Sequence, residues 1–137
     1  MATAHRRVIS TSPERRRPIV EVGRRLAELP TPLMLAARIG GDEYVLIVHG
    51  DSTAVADVAR AAFTAVTTPI ALGKRRLTIL ARVGYAMAEP GMTGTELLYH
   101  ADMAMYRAKT TRAGVWSATT PAAPSGVEPR RRWRDRR

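Results

Sequence analysis

Two apolar runs, residues 33–39 and 43–48, are rich in strand-forming side chains and are separated only by Gly40-Gly41-Asp42. A connection this short and this rich in glycine turns the second run back beside the first, so the pair is expected to form an antiparallel β-hairpin. Segments of helical periodicity flank it. Before the hairpin, Ile19, Val22, Leu26 and Leu29 recur at helical spacing, and Pro30 with Pro32 ends that helix. After Gly50, Asp51 or Ser52 can cap a second helix whose apolar face is Val55, Val58, Ala62, Phe63 and Val66, closed by Pro69.

Residues 69–72 and 76–87, joined through Gly73-Lys74, read as a second hairpin with one long arm that alternates through Leu77, Ile79, Ala81, Val83 and Tyr85. Thr93 or Thr95 opens a last helix with Leu97, Leu98, Ala101, Ala104, Met105 and Ala108 facing inward, and a short strand is expected over residues 114–117. The order α-β-β-α-(ββ)-α-β specifies an α+β fold with a mostly antiparallel sheet and helices on one or both faces. It excludes a doubly wound parallel sheet.

The 137 residues fit one domain. The absence of cysteine removes disulfides, a thiol nucleophile and Cys-ligated metal sites from consideration. No apolar stretch approaches the ~20 residues needed to span a bilayer, and the first ten residues lack the apolar centre of a signal peptide, so a cytoplasmic protein is expected. The net charge of +10 is unevenly placed. Residues 1–17 hold five Arg and one Glu; residues 118–137 hold six Arg, one Glu and one Asp; the body between is nearly balanced, at +2. Three parts are therefore expected: a basic, unstructured segment 1–17, a folded domain 18–117, and a disordered Arg-rich tail 118–137 with three prolines and little aliphatic content. The run Arg130-Arg131-Arg132-Trp133-Arg134 has the composition of a nucleic-acid or anionic-lipid binder, but one aromatic in so short a run favours a solvated tail. His5, His49 and His100 are scattered without ligand spacing.

Chemistry is most concentrated in Arg38-Ile39-Gly40-Gly41-Asp42-Glu43-Tyr44. Two glycines let a ligand approach the backbone and its N–H groups, and two acids at a turn suit Mg²⁺ and phosphate chemistry. On spacing alone, an ordinary tight turn with solvated acids is the favoured reading of the same residues.

Gly40-Gly41-Asp42-Glu43-Tyr44 also resembles the signature of the GGDEF domain, the catalytic domain of bacterial diguanylate cyclases, with Tyr in place of the usual Phe. A second match lies downstream. Leu97-Leu98-Tyr99-His100-Ala101-Asp102-Met103-Ala104-Met105-Tyr106-Arg107-Ala108-Lys109 is similar to the family's last helix, and Val83-Gly84-Tyr85-Ala86 to the strand before it. The resemblance covers roughly residues 19–117. It implies a nucleotidyl-cyclase palm of βαββαβ type, and a reaction in which two GTP-loaded domains meet as a homodimer and form cyclic di-GMP with Mg²⁺. By the same resemblance Gly40 and Gly41 approach the nucleotide, Asp42 ligates metal, Glu43 lies near the reacting ribose as the catalytic residue, and Lys109 neutralises phosphate charge. The family's further basic residue would fall at Ala113, one position after Arg112.

The N-terminal part departs from the family. Nothing in residues 1–18 matches the Asp-rich first strand, DxDxFKxxND, that brings a second metal-ligating Asp and a guanine-binding Asn, and Arg15-Arg16 stand where a guanine-contacting Gly-Asp pair would be. Thr31-Pro32-Leu33-Met34 replaces the product-inhibition motif RxxD. The expected fold is thus a partial palm lacking its first central strand, with a slot between strand 43–48 and strand 76–87. A partner strand could enter this slot, or the N-terminal segment could substitute, with residues 8–11 as a weak candidate; an unfilled slot would leave the fold marginal. The expected function is a truncated GGDEF signalling domain without cyclase activity of its own. Two alternatives stand: a cyclase subunit completed by an upstream or partner segment, and a module binding nucleic acid or membrane through its basic ends.

Overall fold

A computed structural model describes residues 2–5, 16–30 and 32–118. In chain order the elements are β1 (Ala2–His5), α1 (Arg16–Ala27), β2 (Leu33–Gly40), β3 (Glu43–Val48), α2 (Ser52–Thr67), β4 (Ile70–Leu72), β5 (Arg75–Leu77), β6 (Arg82–Tyr85), α3 (Gly94–Thr110) and β7 (Val115–Ser117). The main sheet has the order β2-β3-β1-β6-β7, antiparallel except for the β6–β7 pair, and β4 with β5 forms a separate two-stranded ribbon. This is the α+β partial palm expected from the sequence. No described helix is long and apolar enough to cross a membrane.

The central position is not vacant. β1 lies between β3 and β6 and pairs antiparallel with both: Ala2 opposite Leu46 and Tyr85, Thr3 opposite Val45 and Gly84, Ala4 opposite Tyr44 and Val83, His5 opposite Glu43 and Arg82. Part of the segment expected to be unstructured is therefore the middle strand. The reason lies in its neighbours: two strands with unpaired N–H and C=O groups facing one another bind any short extended segment that reaches them, whatever its intrinsic propensity. Residues 8–11, the substitute considered from sequence, fall outside the described residues, as do residues 119–137 of the tail.

The helices divide between the two faces of the sheet. Successive side chains on a strand point to opposite faces. Tyr44, Leu46 and Val83 join Val22 and Leu26 of α1 and Ala59, Ala62 and Val66 of α2 in one buried cluster, so α1 and α2 cover that face. α3 covers the other face over β6, β7 and β1. Its approach is closest at Gly84, where a Cβ would stand 2.1 Å from the Met105 backbone nitrogen and 2.3 Å from the Ala101 carbonyl oxygen. Ala101, Ala104 and Ala108 are buried beneath the helix, whereas Leu97, Leu98 and Met105, also expected inward, are only half-buried.

The helix ends follow the capping residues. Asp51 caps α2, its side chain accepting from the Ala54 N–H at 2.9 Å. Thr93 caps α3 in a reciprocal box: Thr93 Oγ1 accepts from the Glu96 N–H, and the Glu96 carboxylate accepts from the Thr93 N–H at 2.7 Å. The backbone donor, followed by the Thr93 hydroxyl, lowers the Glu96 pKa. On α1, Arg24 bridges Glu21 and Glu28, and Arg25 holds Glu21 while donating to the carbonyls of Ala65 and Thr68 beside α2.

The second hairpin differs from expectation. Its long arm breaks into β5, which pairs with β4, and β6, which belongs to the main sheet. Ile79 and Ala81 remain buried between them, so the apolar alternation marks burial where the hydrogen-bond ladder has stopped.

Candidate functional site

The hairpin of β2 and β3 carries the glycine–acid turn as expected. Gly40 ends β2 in register with Glu43, which opens β3, leaving Gly41 and Asp42 at the tip. Gly41 has φ of 49°, in the left-handed region that favours glycine. The ladder is irregular between Arg38 and Gly40, and Arg38 Nε donates to the Gly41 carbonyl at 2.9 Å, closing the turn over the irregularity. A Cβ on Gly40 or Gly41 would meet nothing within 4 Å, so the turn backbone is open to a ligand. Asp42 and Glu43 are half-buried.

Glu43 lies on the same sheet face as α3, because its neighbour Tyr44 points into the α1–α2 core. There the Tyr44 hydroxyl donates to the Ile19 carbonyl at 2.8 Å. His5 and Arg82 complete a row across three strands, Glu43–His5–Arg82. With strands about 4.8 Å apart, the backbones of Glu43 and Arg82 are separated by roughly 10 Å.

Arg82 alternates with core-facing Val83 and shares its face with Gly84, which puts it beside α3. Its side chain is half-buried; Nη1 donates to the Ala81 carbonyl at 2.6 Å, and Nε is buried without a hydrogen-bond partner among the described residues. Lys109 is exposed in the last turn of α3. The chain passes from there to β7, where Val115 registers with Val83 and the Gly114 carbonyl accepts from the Val83 N–H. The C-terminus of α3 therefore lies toward the Arg82 end of β6, the same sheet end as the glycine turn.

Gly40, Gly41, Asp42 and Glu43 thus sit together on one turn, and Lys109 stands on a separate element toward the same end of the sheet. Arg38, named in the candidate stretch without a role, clips the turn, and Arg82 was not singled out in the sequence. The signal for Arg82 was a lone charge within the apolar alternation of residues 77–85, on the phase opposite to Leu77, Ile79, Ala81 and Val83.

A magnesium site does not fit these residues. Mg²⁺ takes oxygen ligands, but the strand beside Glu43 supplies Ala, Thr, Ala and His, and the next position in the row is a guanidinium. Among the described residues no three His, Asp or Glu side chains gather where they could hold a metal ion.

Comparison with known proteins places the chain. The family model described as diguanylate cyclase, GGDEF domain, matches residues 17–114. An uncharacterized signaling protein of Caulobacter vibrioides is 34% identical over 102 residues, 72% of this chain and 13% of that protein. The bifunctional diguanylate cyclase/cyclic di-GMP phosphodiesterase MucR of Pseudomonas aeruginosa is 32% identical over 93 residues, 66% of this chain and 14% of that protein. The chain therefore spans only about one-seventh of the length of these curated relatives. Among solved structures, an EAL/GGDEF domain protein from M. capsulatus superposes with a TM-score of 0.71 at 22% identity, covering 87% of this chain and 83% of that one, a likeness of fold. With its hairpin signature, its last helix and the palm that joins them, the chain belongs to the GGDEF domain family.

Proposed function

We propose that this chain is a signalling domain of diguanylate cyclase descent that is catalytically silent on its own. The single observation that carries this reading is the identity of the central strand: Ala2–His5 pairs on both sides in the sheet and brings no carboxylate beside Glu43. Joining two GTP molecules into cyclic di-GMP requires phosphates held in line and their charge balanced, and in the family a metal ion supplies that balance. Here Asp42 would have to hold a cation without a second carboxylate from the neighbouring strand. The guanine-binding groups of the family are also missing, with Arg15-Arg16 in place of the Gly-Asp pair.

What remains is the phosphate side of a nucleotide site. The open backbone of Gly40 and Gly41 suits close approach of a phosphate, and Lys109 suits its charge. Asp42 and Glu43 keep the acids of the turn. The reading of a subunit completed in trans is disfavoured by the same strand, since the slot an inserted segment would need is already bonded on both edges.

Incubation of the purified chain with GTP and Mg²⁺, followed by mass spectrometry of the products, tests the reading. No cyclic di-GMP above the no-protein control is expected. Its formation overturns catalytic silence.

A further inference from the structure

Arg82 is the one feature of the site for which neither the family signature nor the fold accounts. A half-buried guanidinium on the face of a sheet keeps its cost low only if its buried donors are used, and buried donors are nearly always paired. Arg82 uses Nη1 on the carbonyl of its own neighbour Ala81, while Nε is buried and without a partner among the described residues. It stands in the row of Glu43, two strands away, on the α3 face and at the sheet end that also carries the open glycine turn and Lys109.

We propose that Arg82 is the fixed cation of this site, so that it binds the phosphates of a nucleoside triphosphate without a divalent metal ion. The inference rests on the reading of the chain as a silent cyclase-type domain and adds how that site holds its ligand. Arg82 donates from its guanidinium to a phosphate oxygen, the N–H groups of the Gly40-Gly41 turn approach a second, and Lys109 contributes charge from the end of α3. No bond is made or broken. Glu43 stands in the same row as that guanidinium, two strands away. A site of this kind does not require Mg²⁺, because a guanidinium and a lysine already supply positive charge for the phosphates.

The test is a calorimetric titration of the full chain with GTP, once with excess Mg²⁺ and once with EDTA, alongside Arg82→Gln and Arg82→Lys. Equal affinity within about twofold in the two buffers is expected for the parent chain. Loss of a charged hydrogen bond should weaken Arg82→Gln by roughly ten- to a hundredfold in both buffers. Arg82→Lys, which keeps the charge but not the fork, should fall between, and it serves as the reading variant if Arg82→Gln fails to fold. Binding that requires Mg²⁺ overturns the proposal, as does binding that both variants retain unchanged, or no binding in either buffer. Catalytic silence is judged separately by product formation, so a chain that binds no GTP and makes no cyclic di-GMP refutes this inference alone.

Discussion

His5 stands directly opposite Glu43 in the ladder between β1 and β3. The position beside the second acid of the turn is thus held by a histidine of β1, and the same histidine is opposite Arg82 on its other side. Four residues thus complete the sheet, with position 5 in register between Glu43 and Arg82.

Because β1 is bonded on both edges, its backbone donors matter more than its side chains. Thr3 is opposite Val45 and Gly84. Thr3→Pro removes an N–H in a position where proline is not tolerated, and a loss of about 1–3 kcal/mol is expected in urea unfolding.

Gly84 is required by the contact between sheet and helix. A methyl there would meet the Met105 nitrogen and the Ala101 carbonyl of α3, which are backbone atoms that cannot rotate away. Gly84→Ala should therefore cost about 1–3 kcal/mol or more, read as a lower thermal midpoint by roughly 4–8 °C per kcal/mol.

Tyr44 is the residue by which this signature differs from the usual Phe, and its hydroxyl reaches the Ile19 carbonyl in the first half of α1. Tyr44→Phe should lower stability by about 1 kcal/mol with the far-ultraviolet spectrum unchanged, since the ring stays buried and one hydrogen bond is lost.

The acid limb of stability should report Glu21. Hydrogen bonds from Arg24, then Arg25, lower its pKa from 4.5 to about 2. A carboxyl lowered on folding stabilises the protein above its unfolded pKa, and that contribution disappears as pH falls from 4.5 toward 2. Glu21→Gln should be less stable than the parent chain at neutral pH, and the difference in urea midpoint should shrink through this window and vanish near its lower end.

Much of the fold was legible because local chemistry and tertiary placement agree. Gly40-Gly41 set the hairpin, Asp51 and Thr93 capped their helices, and the apolar faces of α1 and α2 pointed into one core. β1 was not legible. Ala-Thr-Ala-His alternates only through two alanines, which are poor strand formers, over a run too short to signal a strand, and it is a strand because two neighbouring edges lack partners. The break between β5 and β6 was hidden for the opposite reason, since Ile79 and Ala81 continue a buried period through residues that have left the ladder. At the site, the turn residues could be read from their spacing, but the position of Arg82 in the row of Glu43 depends on the pairing of β1 and so on long-range structure.

The occupancy of the central slot is tested most directly by amide hydrogen–deuterium exchange resolved at residues 2–5. In-sheet amides of β1 should be slowed by a factor on the order of a thousand or more, as befits a strand released only by global unfolding, and should match the amides of β3 and β6 that face it. Exchange of all four residues at the rate of a free peptide, with β3 and β6 still protected, would contradict the placement of β1 and with it the explanation of why the site lacks a second carboxylate.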